Sequence, residues 1–184
     1  MKKAKIIIAI LAALLIILTV SALAESSSEF PKFSAKDIEG DIYTNDIFSD
    51  NVVTIISFWA TWNPFCLEEM IELAEMYDNL PNGIMIYGVL MDGNEPGTIY
   101  NAEEILEYAG ADFIQLLPCE EMDSIMNTIR NVPTTMFVDS SGNIVGKTIT
   151  GACLQGEYLA AINDIMKDMK SNLDNLRKNI SNNK

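Results

Sequence analysis

The stretch FWATWNPFC, residues 58–66, decides the fold, because an apolar strand runs into a tryptophan, a turn and a cysteine. The strand begins upstream, at residues 51–57, and its β-branched and aromatic side chains show no polar alternation. That pattern is typical of a central strand buried on both faces. Apolar residues then recur at helical spacing from Cys66 to Asn79. The sequence therefore predicts a central strand, a short turn and a helix.

Strands and helices alternate along the rest of the chain. This order predicts an α/β fold with a mixed central sheet flanked by helices. Residues 134–152 predict a hairpin that turns at residues 139–142, followed by a long terminal helix. The other predicted elements are strands at 84–92 and 113–118 and helices at 102–108 and 120–130. The predicted sheet order is 113–118, 84–90, 52–60, 134–139 and 143–151, with the fourth strand antiparallel to the others.

The N-terminal residues predict an export signal. Three lysines precede an uncharged apolar run from Ile6 to Val20, and Ala22-Leu23-Ala24 supplies the small residues of a cleavage site. An uncleaved membrane anchor is the alternative, since the apolar character is close to the minimum for a spanning helix. We expect an extracytoplasmic protein that is secreted, periplasmic or anchored facing outside. The expected organisation is a signal or anchor at 1–24, a flexible lead at 25–29, a domain at 30–168 and an extended helix and tail at 169–184.

The exported chain is strongly acidic and contains no histidine. Without Lys2, Lys3 and Lys5, 9 basic residues oppose 26 acidic residues, a net charge of −17. Such a surface repels nucleic acid and anionic lipid. The composition also excludes histidine-based catalysis and zinc sites built on imidazole. We expect no cofactor and no metal site.

Four segments together resemble the TlpA/ResA-type thioredoxin-like (redoxin) family, from about Phe30 to Ile165. They are FWATWNPFC, the glutamate pair that follows it, VPTTMFVDSSGNIVG at 132–146 and the turn IEGD at 38–41. The resemblance implies a thioredoxin-like fold and a thiol-disulfide oxidoreductase that acts on exported proteins. The implied partners are thiols of exported proteins or peptides, and a membrane thiol-disulfide electron donor. The N-terminal segment would supply a membrane tether.

The family motif is a tryptophan followed by Cys-x-x-Cys at the start of a helix, and here it is degenerate. Trp62 matches the tryptophan, Cys66 matches the second cysteine, and Asn63 occupies the place of the first. The first cysteine is the attacking thiol, and its pKa is lowered at a helix N-terminus. Asn63 can cap the helix but cannot attack. Burial one turn further in raises the pKa of a thiol, and even a free thiol is only ~3% thiolate at pH 7.

The resemblance also assigns roles to other positions. Pro133 matches a cis-proline that positions the backbone of the preceding residue against a bound peptide, and Glu69 matches an acid that influences thiol ionisation. A solvated helix carboxylate is the alternative interpretation of Glu69. The implied catalytic positions are Cys66, Asn63, Pro133 and Glu69, and the implied substrate-binding positions are Trp62, Pro64, Phe65, Val132 and Thr134.

Cys119 and Cys153 are the candidate resolving thiols. Both follow predicted strands whose ends share the edge of the sheet that carries the motif. Strands lie ~4.8 Å apart, so each cysteine is expected roughly 10 Å laterally from the motif strand, beyond the ~7 Å that a disulfide permits between Cα atoms. Neither pairs with Cys66 unless a loop moves. A small buried apolar residue is the competing interpretation of both.

Three functions remain open on the sequence alone. The first is a thiol-disulfide oxidoreductase homologue that acts through the single thiol of Cys66. The second is a redox-inactive module that binds peptides beside Pro133. The third is a peroxiredoxin-like peroxidase, which would need an assisting threonine where Asn63 stands and a nearby cation, for which Arg130 is the candidate.

Overall fold

The structure of the protein, a computed structural model, describes residues 29–182, so the predicted signal, residues 25–28 of the predicted lead and residues 183–184 of the predicted tail lie outside the described residues. A small hairpin and one helical turn precede the central sheet, and helices connect its strands except the last two, which a tight turn joins. The strands are β1 (Ser34–Lys36), β2 (Ile42–Thr44), β3 (Val53–Trp59), β4 (Ile84–Leu90), β5 (Gln115–Leu116), β6 (Thr134–Asp139) and β7 (Ile144–Thr150). The helices are α1 (Asp46–Ser49), α2 (Pro64–Tyr77), α3 (Thr98–Ala109), a 3-10 turn at Glu120–Met122, α4 (Asp123–Met126) and α5 (Gln155–Asn182).

The central sheet has the order β5-β4-β3-β6-β7, which confirms the predicted order. Strands β3, β4 and β5 are parallel, and β6 is antiparallel to both of its neighbours. The end of β3 therefore lies beside the start of β6 and the end of β7, where Phe58 pairs with Thr134 and Thr134 with Thr150. This end of the sheet carries the motif and is called the site pole. The other end, at the turn between β6 and β7, is called the opposite pole.

Each face of the sheet has its own hydrophobic core. Helices α2, α3 and α5 cover one face, and their buried residues include Leu73, Ala102 and Ile162. The other face is covered by the N-terminal segment, α1, the 3-10 turn and α4, with a group of phenylalanines at its centre. Because both faces are covered, β3 is apolar along most of its length and its seven residues are all buried.

Two predicted elements are shorter in the structure. The helix expected at 120–130 is reduced to the 3-10 turn and α4, and the strand expected at 113–118 to two residues. The Thr128 hydroxyl donates a hydrogen bond to the carbonyl of Ile125 at 2.7 Å, which satisfies a terminal carbonyl of α4. Helix α3 instead starts earlier than expected, directly after Gly97, whose φ is +82°.

A buried amide ties the end of β3 to β5. The Trp59 indole N–H donates to Oε1 of Gln115 at 2.8 Å, and Nε2 of Gln115 donates to the Phe113 carbonyl at 3.0 Å. Strand β4 runs between them and has a glycine at this level. A Cβ at Gly88 would lie 1.9 Å from the same Gln115 oxygen. The glycine therefore leaves the space that the amide fills.

Helix α5 runs back along β7 from the site pole. Tyr158, Ile162 and Ile165 are buried on the sheet, and Ile165 lies against Gly146, where a Cβ would be 2.7 Å from its side chain. The apolar residues beyond Met169 are exposed. At about 1.5 Å per residue, the last dozen residues of α5 extend roughly 18 Å past the domain.

Candidate functional site

Asn63 begins helix α2. Its backbone is extended, its side-chain Oδ1 accepts a hydrogen bond from the Phe65 N–H at 3.0 Å, and Pro64 follows it. Asparagine is among the preferred N-cap residues, and proline is favoured at the first helical position because its missing N–H would be unpaired there. These two residues explain why the helix begins at Pro64, two residues before the predicted start.

The same Asn63 side chain also joins the helix to the loop before β6. Its Nδ2 donates a hydrogen bond to the carbonyl of Val132 at 2.5 Å. The peptide bond between Val132 and Pro133 is cis. The Asn63 amide is therefore hydrogen-bonded to a backbone carbonyl that the family resemblance assigns to peptide binding.

The predicted substrate-binding residues do not share one environment. Trp62 and Phe65 project from the turn and from the first turn of α2, with 70% and 57% of their surface exposed. Pro64 is exposed and Val132 is half-buried. Thr134 is buried, and its hydroxyl donates to the Asn131 carbonyl at 2.7 Å, so its side chain stabilises the loop.

Cys66 lies one turn into α2 and is sealed in the core. Only 1% of its surface is exposed. Burial raises the pKa of its thiol to about 12, and the charges of Glu69 and Asp92 add to the rise, whereas a hydrogen bond with the Ala60 backbone lowers it. The expectation that burial raises this pKa is confirmed. At pH 7 the thiolate fraction is then on the order of 10⁻⁵.

Glu69 is fully buried, so its alternative interpretation as a solvated helix carboxylate is wrong. Its Oε2 accepts from the Ser57 hydroxyl at 2.6 Å, and its Oε1 accepts from Thr135 at 2.9 Å and from Tyr158. Burial raises the pKa of the carboxyl, while these three hydroxyl donors lower it. The carboxyl connects α2 with β3, β6 and α5 beneath the motif.

A cleft of about 410 Å³ opens beside Asn63. Among the residues that line it, the Asp92 carboxylate is held by the N–H of Thr61 at 3.1 Å and by its hydroxyl at 2.7 Å. Arg130 also lines the cleft and is exposed. The complete lining is Ala60, Trp62, Asn63, Met91, Asp92, Glu95, Ile129, Arg130, Asn131 and Val132. The cleft joins the motif to the loop that carries the cis bond.

All three cysteines are free. Cys153 packs on the core that contains Cys66, whereas Cys119 packs on the core of the opposite face. The sheet therefore separates Cys119 from Cys66, although β3 and β5 end at the same pole. Burial raises the pKa of both, to about 11 for Cys153, whose thiol also lies near Glu157. Their role as resolving thiols stays a prediction.

The remaining described surface adds no metal or membrane element. Among residues 29–182, no group of His, Cys, Asp or Glu side chains could hold a metal ion. Within the same range, no helix is sufficiently long and apolar to cross a bilayer.

The model of the AhpC/TSA family matches residues 27–147, more than half of the chain. The chain belongs to the AhpC/TSA family. The match includes the motif, the buried glutamate and the loop before β6. No curated protein matches the sequence. The finer TlpA/ResA type stays a prediction.

Solved structures of thioredoxin-like proteins resemble the chain in shape. A thiol:disulfide interchange protein of the thioredoxin family from Chlorobium tepidum is 21% identical, with a TM-score of 0.64 over 76% of this chain and 96% of that one. StoA from Bacillus subtilis is 23% identical, with a TM-score of 0.56 over 70% and 94%. A secreted Mycobacterium tuberculosis disulfide oxidoreductase homologous to E. coli DsbE is 16% identical, with a TM-score of 0.59 over 72% and 95%. The fold of this AhpC/TSA family member is thus thioredoxin-like.

The sequence interpretation missed several residues of the site. Ser57, Thr135 and Tyr158 hold the Glu69 carboxyl, and Asp92 holds the turn before the motif. Hydroxyl side chains inside otherwise apolar buried strands are a usable signal, because a buried hydroxyl needs a partner. No comparable signal marks Tyr158, which lies 89 residues from Glu69.

Proposed function

We propose that the chain is an extracytoplasmic peptide-binding protein of the AhpC/TSA family that does not catalyse dithiol-disulfide exchange. One observation carries the proposal. Asn63 is half-buried, stands in place of the first motif cysteine and is hydrogen-bonded to Val132, while Cys66, the motif's sulfur, lies buried one turn further along α2.

Thiol chemistry at neutral pH is poorly supported by the environment of Cys66. Exchange requires an attacking thiolate and a second sulfur in range. The thiol of Cys66 has a pKa of about 12, and Asn63 stands in place of the first motif cysteine, so the motif holds no other sulfur. A peroxidase also needs an ionised, accessible cysteine, and Arg130 does not contribute to the pKa of this one. The single-thiol and peroxidase alternatives are therefore less favoured.

Binding is supported by the rim of the site. Trp62 exposes a large aromatic surface in the lining of the cleft, which Val132 also lines, and Phe65 is exposed three residues further along, in the first turn of α2. Exposed aromatic side chains beside a concave surface are typical of binding sites, because they offer large contact areas at a low cost in conformational entropy. The fold thus keeps a contact surface at a position where the reactive group is absent.

The occupant that fits this surface is an extended segment of another exported protein. Its backbone would pair with Val132, and it would displace the Asn63 amide from the Val132 carbonyl or use the Val132 N–H alone. Asp92 and Glu95 oppose the single cation Arg130 in the lining. Neutral or basic segments are therefore favoured over acidic ones.

The test uses an unfolded exported protein with every thiol blocked, such as reduced and carboxamidomethylated lysozyme, so that binding cannot depend on disulfide formation. Titration calorimetry should show binding that weakens about tenfold or more when Trp62 is replaced by alanine. Tyr108→Ala is the matched control, because Tyr108 is similarly exposed but lies outside the cleft. Insulin reduction should proceed at the buffer rate. Absence of binding, or equal loss in both variants, would contradict the proposal.

A further inference from the structure

Charge is divided unevenly between the domain and the free half of α5. Residues 29–166 contain 23 acidic side chains and only four basic ones. Residues 167–182 reverse this balance, with four basic side chains against two acidic ones. The four are Lys167, Lys170, Arg177 and Lys178. The acidic domain is therefore followed by a helix end of net charge +2, in which Lys167 pairs with Asp164 at 3.0 Å, Arg177 lies 3.8 Å from Asp174, and both pairs are exposed.

The same helix carries an unpartnered apolar stripe. Met166, Leu173, Leu176 and Ile180 are exposed and recur at steps of three, four or seven residues, which places them on one face. Lys170 and Arg177 follow Met166 and Leu173 by four residues each, so they lie along one edge of this stripe. Long cationic side chains in that position cover apolar surface while their charges reach outward.

The free half of α5 emerges at the opposite pole, where the described chain begins. Helix α5 runs antiparallel to β7, passes Gly146 at Ile165, and continues beyond the turn between β6 and β7. Glu29 pairs with Asn143 in this turn, and the Phe30 N–H donates to the Gly142 carbonyl at 2.8 Å. The apolar run of residues 6–20 precedes Glu29 by only eight residues in the sequence. The peptide cleft lies at the other end of the sheet.

We propose that residues 166–182 form a contact for an anionic lipid surface, which the acidic surface of the domain would by itself repel. The apolar stripe inserts at the boundary between headgroups and acyl chains, and Lys167, Lys170, Arg177 and Lys178 pair with lipid phosphates. The domain then stands on the bilayer with the cleft directed away from it. This inference does not depend on the proposed peptide binding.

Charge complementarity favours lipid over a second copy of the chain. In a pair of α5 helices, the residues beside the stripe on the edge away from Lys170 and Arg177 are Asn172 and Asn179, so the two cations meet no acidic residue of the other copy. Pairing would also bring two strongly acidic domains together. An anionic bilayer instead matches both the stripe and the cations. One such helix binds weakly by itself, and a second attachment at the same pole would strengthen the contact.

The experiment places a tryptophan on the stripe of the full-length chain, as Leu176→Trp, and reconstitutes it into vesicles. On phosphatidylglycerol vesicles, the added emission should shift to shorter wavelength and become protected from acrylamide. On phosphatidylcholine vesicles, the introduced tryptophan should stay exposed, because the cations of the helix discriminate between the two lipids whether or not the apolar N-terminal run inserts. The parent chain is the control, since the native Trp62 lies at the site pole and should stay quenchable in both.

A charge variant separates the helix from the rest of the surface. In the Leu176→Trp background, Lys170→Gln, Arg177→Gln and Lys178→Gln together should abolish the emission shift on phosphatidylglycerol. The matched control is Lys32→Gln, Lys36→Gln and Lys147→Gln, which removes the same charge from the domain and should leave the shift intact. Unshifted emission of the introduced tryptophan on anionic vesicles would overturn the proposal. So would an equal shift on both lipids, or one that rises with protein density and accompanies cross-linked dimers, the signature of a second copy.

Discussion

The rim of the site and the layer one helical turn beneath it differ in exposure and in chemical role. On the rim, Trp62 and Phe65 are exposed and Asn63 bridges two backbone segments. Beneath it, Cys66 and Glu69 are sealed in the core, and burial raises the pKa of both. In a dithiol enzyme the two layers share one reaction, because the rim sulfur attacks and the inner sulfur resolves. Here the rim residues Trp62 and Phe65 offer surface for contact with a partner, and the inner residues Cys66 and Glu69 stabilise the fold.

The largest effect is expected when a cysteine is placed at position 63 of the rim, because the chain then has both sulfurs needed for thiol-disulfide exchange. In Asn63→Cys, the new thiol stands at the N-terminus of α2, where unpaired N–H groups and the helix dipole lower a thiol pKa to near 7. The thiolate available at pH 7 then rises by roughly four orders of magnitude over that of Cys66. Insulin reduction with dithiothreitol should become clearly faster than the buffer rate. Asn63→Ser is the control. Equal rates of insulin reduction for both variants would show that a sulfur at position 63 is not sufficient to restore thiol-disulfide exchange.

The sealed state of Cys66 predicts very slow alkylation. With the thiol pKa raised from 9.0 to about 12, native Cys66 should react with iodoacetamide about a thousandfold more slowly than a free thiol at pH 7. The rate should rise tenfold per pH unit as the thiolate fraction grows. Mass spectrometry of the labelled peptides measures it, with the half-buried Cys119 and Cys153 as internal references. Labelling of Cys66 as fast as that of Cys119 would contradict a closed inner layer.

Removing the carboxyl of Glu69 should weaken the inner layer strongly. Glu69→Ala leaves three buried hydroxyl groups without their acceptor, and each such group costs about 1–3 kcal/mol. We expect the free energy of unfolding in urea to fall by about 3–5 kcal/mol. Glu68→Ala, one residue earlier and exposed, should change it by less than about 0.5 kcal/mol. Similar losses in the two variants would exclude a special role for the buried carboxyl.

Glu69 should also give a recognisable pH dependence. Because its pKa is raised in the folded state, the folded protein binds more protons than the unfolded chain above the ordinary value of 4.5. Its contribution to stability is therefore complete below 4.5 and declines as pH rises to the folded pKa. Urea titrations of the parent protein and of Glu69→Gln should show a difference in unfolding free energy that falls over this window. A difference that grows with pH would reverse the assignment.

The smallest expected effect concerns the bridge on the rim. Asn63→Asp keeps the oxygen that accepts from Phe65 but replaces the N–H₂ group that donates to Val132. We expect a loss of about 1 kcal/mol in unfolding free energy, because one hydrogen bond disappears and two oxygens then face each other. Asn63→Ala, which removes the cap as well, should lose more. An aspartate variant as stable as the parent would show that the bridge adds no stability.

The sequence predicts the sheet and the position of the motif because both depend on local patterns. Runs of β-branched residues specify the strands, and Asn63-Pro64 specifies the start of α2. The burial of Glu69 could also have been predicted from the sequence, since Glu69 shares a helical face with Cys66, Met70 and Leu73. The hydrogen-bond partners of this carboxyl could not be predicted, because its donors come from segments 12, 66 and 89 residues away.

The rim shows the same limit. The sequence places Asn63 and Val132 near each other only through a family resemblance, since 69 residues separate them. Which way the Asn63 amide points depends on the exact approach of two loops. The length of the 120–130 helix also escaped prediction, because its end depends on Thr128 and on the loop that follows.

The glycine in β4 couples three positions of the chain across relatives. The Gln115 amide fills the space that Gly88 leaves and holds the Trp59 indole N–H at the last residue of β3, just before the motif turn. A relative with any side chain at position 88 has no room for this amide and must satisfy the indole differently. We therefore expect the residues at positions 59, 88 and 115 to change together in an alignment. Such covariation would define a lineage within the family by a buried packing arrangement rather than by a reactive group.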